Sequence, residues 1–140
     1  MVLVAATGVF EIIHPGHLLY LEESRRLGDQ LVVILATDKT VKKVKGRDCV
    51  PQEHRRHVLK ALRIVDDVVV GGDEDRLNTL RKVDPDVLTV GFDQEYDIQK
   101  LQEEIREAGL KAKVVKIEKH WEGRYNSSGK IREALDEENL

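Results

Sequence analysis

The run GVFEIIHPGH at Gly8–His17 decides how this sequence is expected to fold and where its chemistry lies. The stretch before it, Val2–Thr7, is short and apolar, which is typical of a buried β-strand. Leucines recur at helical spacing after it, and Pro15 suits the first turn of a helix because its nitrogen needs no partner there. His14 and His17 therefore bracket a predicted helix N-terminus, where unpaired N–H groups and the helix dipole attract anions. The pattern predicts a binding site for a triphosphate.

Short apolar runs alternate with helical patterns along the rest of the chain. The predicted strands are Val2–Thr7, Leu31–Thr37, Asp67–Val70, Val87–Val90 and Lys113–Ile117, and the predicted helices are about 15–27, 51–64, 74–83, 96–108 and 127–138. This alternation indicates an α/β fold, a single Rossmann-like domain over residues 1–140 with a doubly wound, five-stranded parallel sheet and helices on both faces. We expect Lys113–Ile117 to be an edge strand and Val58, Leu59 and Leu62 to be buried. Ligands should bind where the strand order reverses, between the first and fourth strands.

Composition excludes several classes of protein. A length of 140 residues suits one domain, and a net charge of −3 gives no support for nucleic-acid binding. No apolar run approaches the length of a membrane helix and no secretory leader opens the chain, so no membrane association is expected. The single cysteine, Cys49, excludes an internal disulfide and favours the cytoplasm. Basic residues concentrate within 42–56, which suits a small anionic ligand.

The two histidines by themselves have other interpretations. His14 and His17 have the spacing of two metal ligands, but zinc needs a third and a fourth ligand and none is near in the sequence. Histidines of no particular role on a surface are the other alternative. The full ten-residue pattern in a strand–loop–helix setting is more specific than the pair, so no metal site is predicted.

Three further segments are candidates for anion or nucleotide contacts. The basic stretch Val41–Arg47 follows the second strand directly, so it should overhang the same sheet edge, although most such stretches are solvated loops. Arg55 begins the next helix and either directs its planar guanidinium at phosphate or is an ordinary surface arginine. Asp93, within Gly91–Gln94 at the end of the fourth strand, either contacts the nucleotide or caps the following helix.

A second helix N-terminus is predicted near the end of the chain. Ser127 or Ser128 is placed to cap it, which alone is ordinary capping. Arg132 lies one turn into the helix and adds positive charge. Trp121 and Tyr125 are candidates to stack on an aromatic ring of a ligand, with packing as an equal alternative.

These motifs resemble those of a known superfamily. The pattern Gly-x-Phe-(Asp/Glu)-x-x-His-x-Gly-His at Gly8–His17 resembles the first motif of the HxGH nucleotidyltransferases, in which many members carry Asp at the position of Glu11. The stretch from Trp121 to Arg132 resembles the second motif, with Gly129 where many members have a third hydroxyl. The resemblance covers essentially the whole chain. The superfamily includes the cytidylyltransferases and the archaeal FAD synthetases.

The resemblance implies roles for individual residues. It implies catalytic roles for His14, His17, Lys43 and Arg132. It implies nucleotide contacts for Val9, Phe10, His14, Pro15, Gly16, His17, Asp93, Trp121, Ser127, Ser128 and Arg132. It implies acceptor-phosphate contacts for Lys43, Lys45 and Arg55, and spacing does not decide which lysine of Lys42, Lys43 and Lys45 binds the acceptor. A helix N-terminus lowers the pKa of a histidine and a bound triphosphate raises it, so the charge of the pair stays open.

Within the superfamily, the chain looks most similar to archaeal-type FAD synthetase. The similar segments are Thr7–Phe10, Val41–Arg47, Gly91–Gln94 and Asn126–Ser128. The resemblance implies that ATP and FMN react to give FAD and pyrophosphate, with Mg²⁺ carried by the nucleotide, in a homodimer. One alternative is a cytidylyltransferase acting on glycerol 3-phosphate or a similar small phosphorylated alcohol. The other is a non-catalytic nucleotide-binding sensor, which the retained histidine pair and Arg132 disfavour.

Overall fold

Five parallel strands form the centre of the protein. The computed structural model describes residues 1–73, 75–92, 94 and 97–138. The strands are β1 Leu3–Gly8, β2 Gln30–Leu35, β3 Asp67–Val70, β4 Val87–Gly91 and β5 Lys113–Ile117. Their order is β3-β2-β1-β4-β5, and every neighbouring pair is parallel. The order reverses between β1 and β4 and β5 lies at an edge, so both predictions are confirmed.

Six helices connect and cover the strands in the described residues. They are α1 Pro15–Arg25, α2 Asp38–Lys45, α3 Gln52–Lys60, α4 Arg76–Val83, α5 Ile98–Glu107 and α6 Ser128–Glu138. Five of them correspond to the predicted helices, and the largest difference at an end is α3, which stops at Lys60 and is followed by turns. None of the described helices has both the length and the hydropathy that crossing a membrane requires.

Helix α2 was not among the predicted helices, and it includes most of the basic stretch Val41–Arg47, for which a solvated loop was the alternative. The hydroxyl oxygen of Thr37 accepts a hydrogen bond from the Thr40 N–H at 3.0 Å and caps the helix. Gly46 ends the helix with a φ of 69°, a left-handed conformation that glycine adopts without strain. Val41 is the only buried residue of α2, so the segment lacks the apolar periodicity by which a helix is recognised.

Apolar clusters cover both faces of the sheet, as predicted. On one face Leu21 of α1 and Leu59 of α3 pack against β1 and β2. On the other face Leu80 of α4 and Leu101 of α5 pack against β1 and β4. Val58 was expected to be buried beside Leu59 but is 45% exposed, because α3 turns Leu59 toward the sheet instead.

Candidate active site

The loop at residues 9–14 joins β1 to α1 and carries the first motif. His14 is the N-cap of α1, and its Nδ1 accepts a hydrogen bond from the Gly16 N–H at 3.1 Å. The Nδ1 of His17 accepts one from the His14 N–H at 3.3 Å. The two imidazoles thus form the reciprocal capping arrangement that Ser or Thr makes with Glu in other helices. Because each Nδ1 accepts, each neutral ring carries its proton on Nε2.

The two imidazole rings lie close together at the start of α1. Their centroids are 3.9 Å apart. Burial, and then the charges of His14 and Lys45, lower the pKa of His17 from 6.5 to about 3. His17 is therefore neutral near pH 7. A neutral imidazole can still donate one hydrogen bond.

We expect the stability of the protein to fall in acid because of His17. The unfolded chain binds a proton at His17 below about pH 6.5, whereas the folded protein does so only near pH 3. The free energy of unfolding should therefore decrease as the pH falls through this interval, by up to about 1.4 kcal/mol per pH unit. Chemical denaturation of the wild type and of His17→Asn across this interval measures the effect. The variant should show the weaker pH dependence, and identical slopes would contradict the shifted pKa.

The N-terminus of α6 lies against the β1–α1 loop. The Ser128 hydroxyl donates to the Ile12 carbonyl oxygen and accepts from the Ile12 N–H, both at 3.1 Å. These bonds join segments 116 positions apart in the sequence. The Ser127 hydroxyl oxygen accepts from the Lys130 N–H at 3.1 Å, so Ser127 is the residue that caps α6. The two predicted helix N-termini therefore face one site.

An open cavity of about 800 Å³ lies where these segments meet the carboxyl ends of β1 and β4. Its volume is within the range of small-molecule sites. The predicted site residues that line it are Val9, Phe10, His14, Gly16, His17, Lys45, Trp121, Ser127 and Ser128. Phe10 has a φ of 51°, which is rare for a residue with a side chain, and its ring centroid lies 5.2 Å from that of His17. This conformation places the Phe10 ring next to the His17 imidazole.

Other predicted residues lie outside the cavity lining within the described part of the chain. Pro15 is the first residue of α1, and Tyr125 lies on the surface with the Arg124 guanidinium over its ring. Lys43 is exposed on α2 away from the lining, whereas Lys45 lines it and acts electrostatically on His17. The structure therefore favours Lys45 over Lys43 as the cation beside the histidines. Arg55 and Arg132 also lie outside the lining and are described below.

Arg55 is not placed as a phosphate ligand, which revises the prediction. Its side chain is fully buried. The guanidinium donates to the carbonyl oxygens of Val50, Val9 and Ala36 at 2.6 to 2.9 Å and to the Asp38 carboxylate at 2.9 Å. It therefore ties the loops after β1 and β2 to α3. The sequence does not reveal this role, because the backbone carbonyl oxygens that surround Arg55 come together only in the folded chain.

Glu11, whose role the sequence left open, is buried at this site. Its side chain is 1% exposed, and its carboxylate forms ion pairs with Arg47 and Arg132. Arg47 Nη1 lies 3.3 and 3.2 Å from the two carboxylate oxygens. Arg132 reaches the same carboxylate through Nη2. A buried carboxylate requires such partners. The presence of a carboxylate at this position of the motif was therefore the signal in the sequence that cationic side chains would lie beside it.

Asp93 lies outside the described residues. Gly91, two residues earlier, donates its N–H to Gln94 Oε1 at 2.5 Å. Phe92 is 43% exposed, and its ring stacks on that of His120 with centroids 4.5 Å apart. The end of β4 therefore presents an aromatic pair next to β5 that was not predicted.

Comparison with known proteins agrees with this geometry. A family model described as cytidylyltransferase-like matches residues 5–134. The FAD synthase of Methanocella paludicola is 46% identical over 137 residues, which are 98% of each chain. The FAD synthase of Picrophilus torridus is 41% identical over 96% of each chain.

Solved structures share the fold. A lipopolysaccharide core biosynthesis protein from Thermoplasma volcanium superposes with a TM-score of 0.83 and 38% identity, covering 87% of this chain and 99% of that one. A pantoate-β-alanine ligase from Francisella tularensis superposes with a TM-score of 0.66 over 96% of this chain and 65% of its own. At 10% identity the second match concerns the fold alone.

Proposed function

The chain belongs to the cytidylyltransferase-like family, with FAD synthases as full-length relatives, and we propose that it transfers AMP from ATP to FMN, giving FAD and pyrophosphate. The observation that carries this proposal is the pairing of two helix N-termini, joined by Ser128 and Ile12, at one cavity. Each N-terminus favours an anion. A triphosphate is an anion long enough to contact both.

The reaction needs no nucleophile from the protein. An oxygen of the FMN phosphate attacks the α-phosphorus of ATP in line, and the bond from that phosphorus to the oxygen bridging the β-phosphorus breaks. Pyrophosphate leaves with the electron pair. The protein's part is to position the reactants and stabilise the negative charge that develops.

Specific residues take these roles in the proposal. His14 and His17 donate hydrogen bonds from Nε2 to the triphosphate and to the pentacovalent transition state. Arg132 and the N-terminus of α6 bind the departing pyrophosphate. Ser127 and Ser128 contribute by capping α6 and by fixing it against the β1–α1 loop, since their hydroxyls already bond within the protein. Lys45 binds the acceptor phosphate.

Magnesium is proposed to arrive with the nucleotide. Among the described residues, no group of three or more His, Cys, Asp or Glu side chains is arranged to hold a metal ion. Oxygens of ATP are the ligands that we propose for Mg²⁺, which commonly binds substrate phosphates and keeps several waters. The homodimer, the single-domain organisation over residues 1–140 and the cytoplasmic location stay predictions.

A pyrophosphate-release assay with a panel of substrates tests the proposal. Purified protein and magnesium are combined with ATP or CTP and with FMN, glycerol 3-phosphate, phosphocholine or phosphopantetheine, and FAD is identified by chromatography. We expect pyrophosphate and FAD to form in equal amounts with ATP and FMN, and no pyrophosphate to form with any other pair of substrates. Release only with CTP and a polyol phosphate would establish the cytidylyltransferase alternative. Nucleotide binding without release from any pair would establish the sensor.

Gly16→Ala is expected to lower turnover without unfolding α1. A Cβ atom at this position would lie 2.8 and 2.9 Å from Cε1 and Nδ1 of His14, so the ring must move away from the site. We expect kcat to fall by roughly ten- to a hundredfold, the scale of a small misplacement in an active site. Pyrophosphate release measures it, with circular dichroism to monitor folding.

The control for this prediction is the same change in a His14→Ala background. With no ring to displace, Gly16→Ala should add little to the loss already caused by His14→Ala. Equal effects in the two backgrounds would show that the added methyl group acts on something other than His14.

A further inference from the structure

We propose that Glu11 is a positioning residue that holds Arg47 on the acceptor phosphate and Arg132 on the nucleotide polyphosphate. The inference rests on the proposed function. It adds Arg47 as a residue that binds the acceptor phosphate, and Glu11 as the residue that aligns Arg47. Its basis is the buried Glu11 carboxylate, which pairs with both guanidinium groups. Arg47 follows α2 and Arg132 lies within α6, so one carboxylate joins the two cationic segments of the site.

Arg47 has hydrogen-bond donors to spare for a ligand. Its contacts with Glu11 and with the Asp48 carbonyl oxygen, at 3.1 Å, all use Nη1. Nε and Nη2 make no hydrogen bond or ion pair with the described residues. The side chain is 39% exposed and lines the cavity. A guanidinium has donors in a planar fork that matches a phosphate group, so the unused edge of Arg47 suits the monophosphate of the acceptor.

Arg132 also has an unused donor, and this one is buried. Nη2 contacts Glu11, while Nε has no hydrogen-bond partner among the described residues although it is shielded from solvent. Leaving a buried N–H unpaired is costly, and native proteins rarely do so without a ligand or water in that place. An oxygen of the nucleotide polyphosphate is the partner that the charge of Arg132 and its position in α6 favour.

The position of Glu11 between the two arginines explains why one carboxylate serves both. The acceptor phosphate must approach the α-phosphorus while both groups carry negative charge, so each needs its own cation at a fixed separation. Because both guanidinium groups pair with the same buried carboxylate, Glu11 fixes the distance between them. The carboxylate also offsets the repulsion between them before substrates bind.

The test separates the two substrates kinetically. We expect Arg47→Gln to raise the KM for FMN at least tenfold with a smaller change for ATP, and Arg132→Gln to weaken binding of ATP and inorganic pyrophosphate. Glu11→Gln should do both, raising each KM at least fivefold, while Glu11→Asp keeps the charge and should recover part of the loss. Arg63→Gln, on the exposed turn after α3, is the control and should match the wild type.

An equilibrium measurement distinguishes failure of this inference from failure of the proposed function. Calorimetric titration with inorganic pyrophosphate involves no acceptor, so weaker binding by Glu11→Gln supports the anchor even if FMN is not the substrate. Titration with FMN reports on Arg47 in the same way. If Glu11→Gln does not fold, the same measurements on Glu11→Asp decide. Glu11 variants with unchanged affinity for pyrophosphate, or with unchanged affinity for FMN in a protein that forms FAD, would overturn the proposal.

Discussion

His17→Ala is expected to lower kcat by about two orders of magnitude or more while the protein stays folded. The imidazole lies at the N-terminus of α1 in the cavity wall and is neutral near pH 7 because burial lowers its pKa to about 3. As a fixed hydrogen-bond donor it should be most effective when charge accumulates on the α-phosphate in the transition state. Removing one such donor typically costs about 100- to 1,000-fold in kcat.

Steady-state kinetics of FAD formation measures this effect, together with thermal denaturation. His17 also accepts the His14 N–H, so the variant loses a capping interaction worth about 1 kcal/mol and assays must run well below its melting temperature. His57→Ala, on the exposed side of α3, is the matched control and should retain full kcat. Near-normal turnover by folded His17→Ala would falsify the role of the histidine pair.

Arg55→Ala is expected to lower the free energy of unfolding by about 3–5 kcal/mol. The buried guanidinium donates to three backbone carbonyl oxygens and to Asp38, and its removal leaves buried acceptors unpaired. Breaking a buried charged network by removing one member typically costs this much. Equilibrium denaturation by urea is the measurement.

The neighbouring arginine supplies the control. Arg56 is partly exposed, and its one ion pair with the described residues is with Glu53 one turn away, at 3.9 Å, so Arg56→Ala should cost no more than about 1 kcal/mol. If the two variants lose similar stability, the buried network around Arg55 contributes little. A stable Arg55→Ala protein with a raised KM for FMN would instead favour the original prediction of a phosphate ligand.

Much of the fold was predictable because local and long-range signals agree. Apolar runs such as Val2–Thr7 and Leu31–Thr37 identify strands, and the alternation with helices restricts the sheet to a few topologies. The strand order then places the Gly8–His17 loop beside β4. The meeting of Ser128 with Ile12 follows from that topology together with the second motif.

Other features depended on contacts that no sequence pattern carries. Helix α2 was missed because its exposed lysines outnumber its single buried residue, Val41. Arg55 reads as a surface residue until three carbonyls surround it. Glu11 looked like a lengthened variant of the usual aspartate, and only the fold shows that it pairs with Arg47 and Arg132.

The hydrogen bonds between Ser128 and Ile12 have a consequence for synthesis of the protein. A chain still emerging from the ribosome has the loop with both histidines early, yet it lacks the partner helix α6 until the segment after β5 has been made. Incomplete products that end after β5 are therefore expected to build a sheet without becoming catalysts.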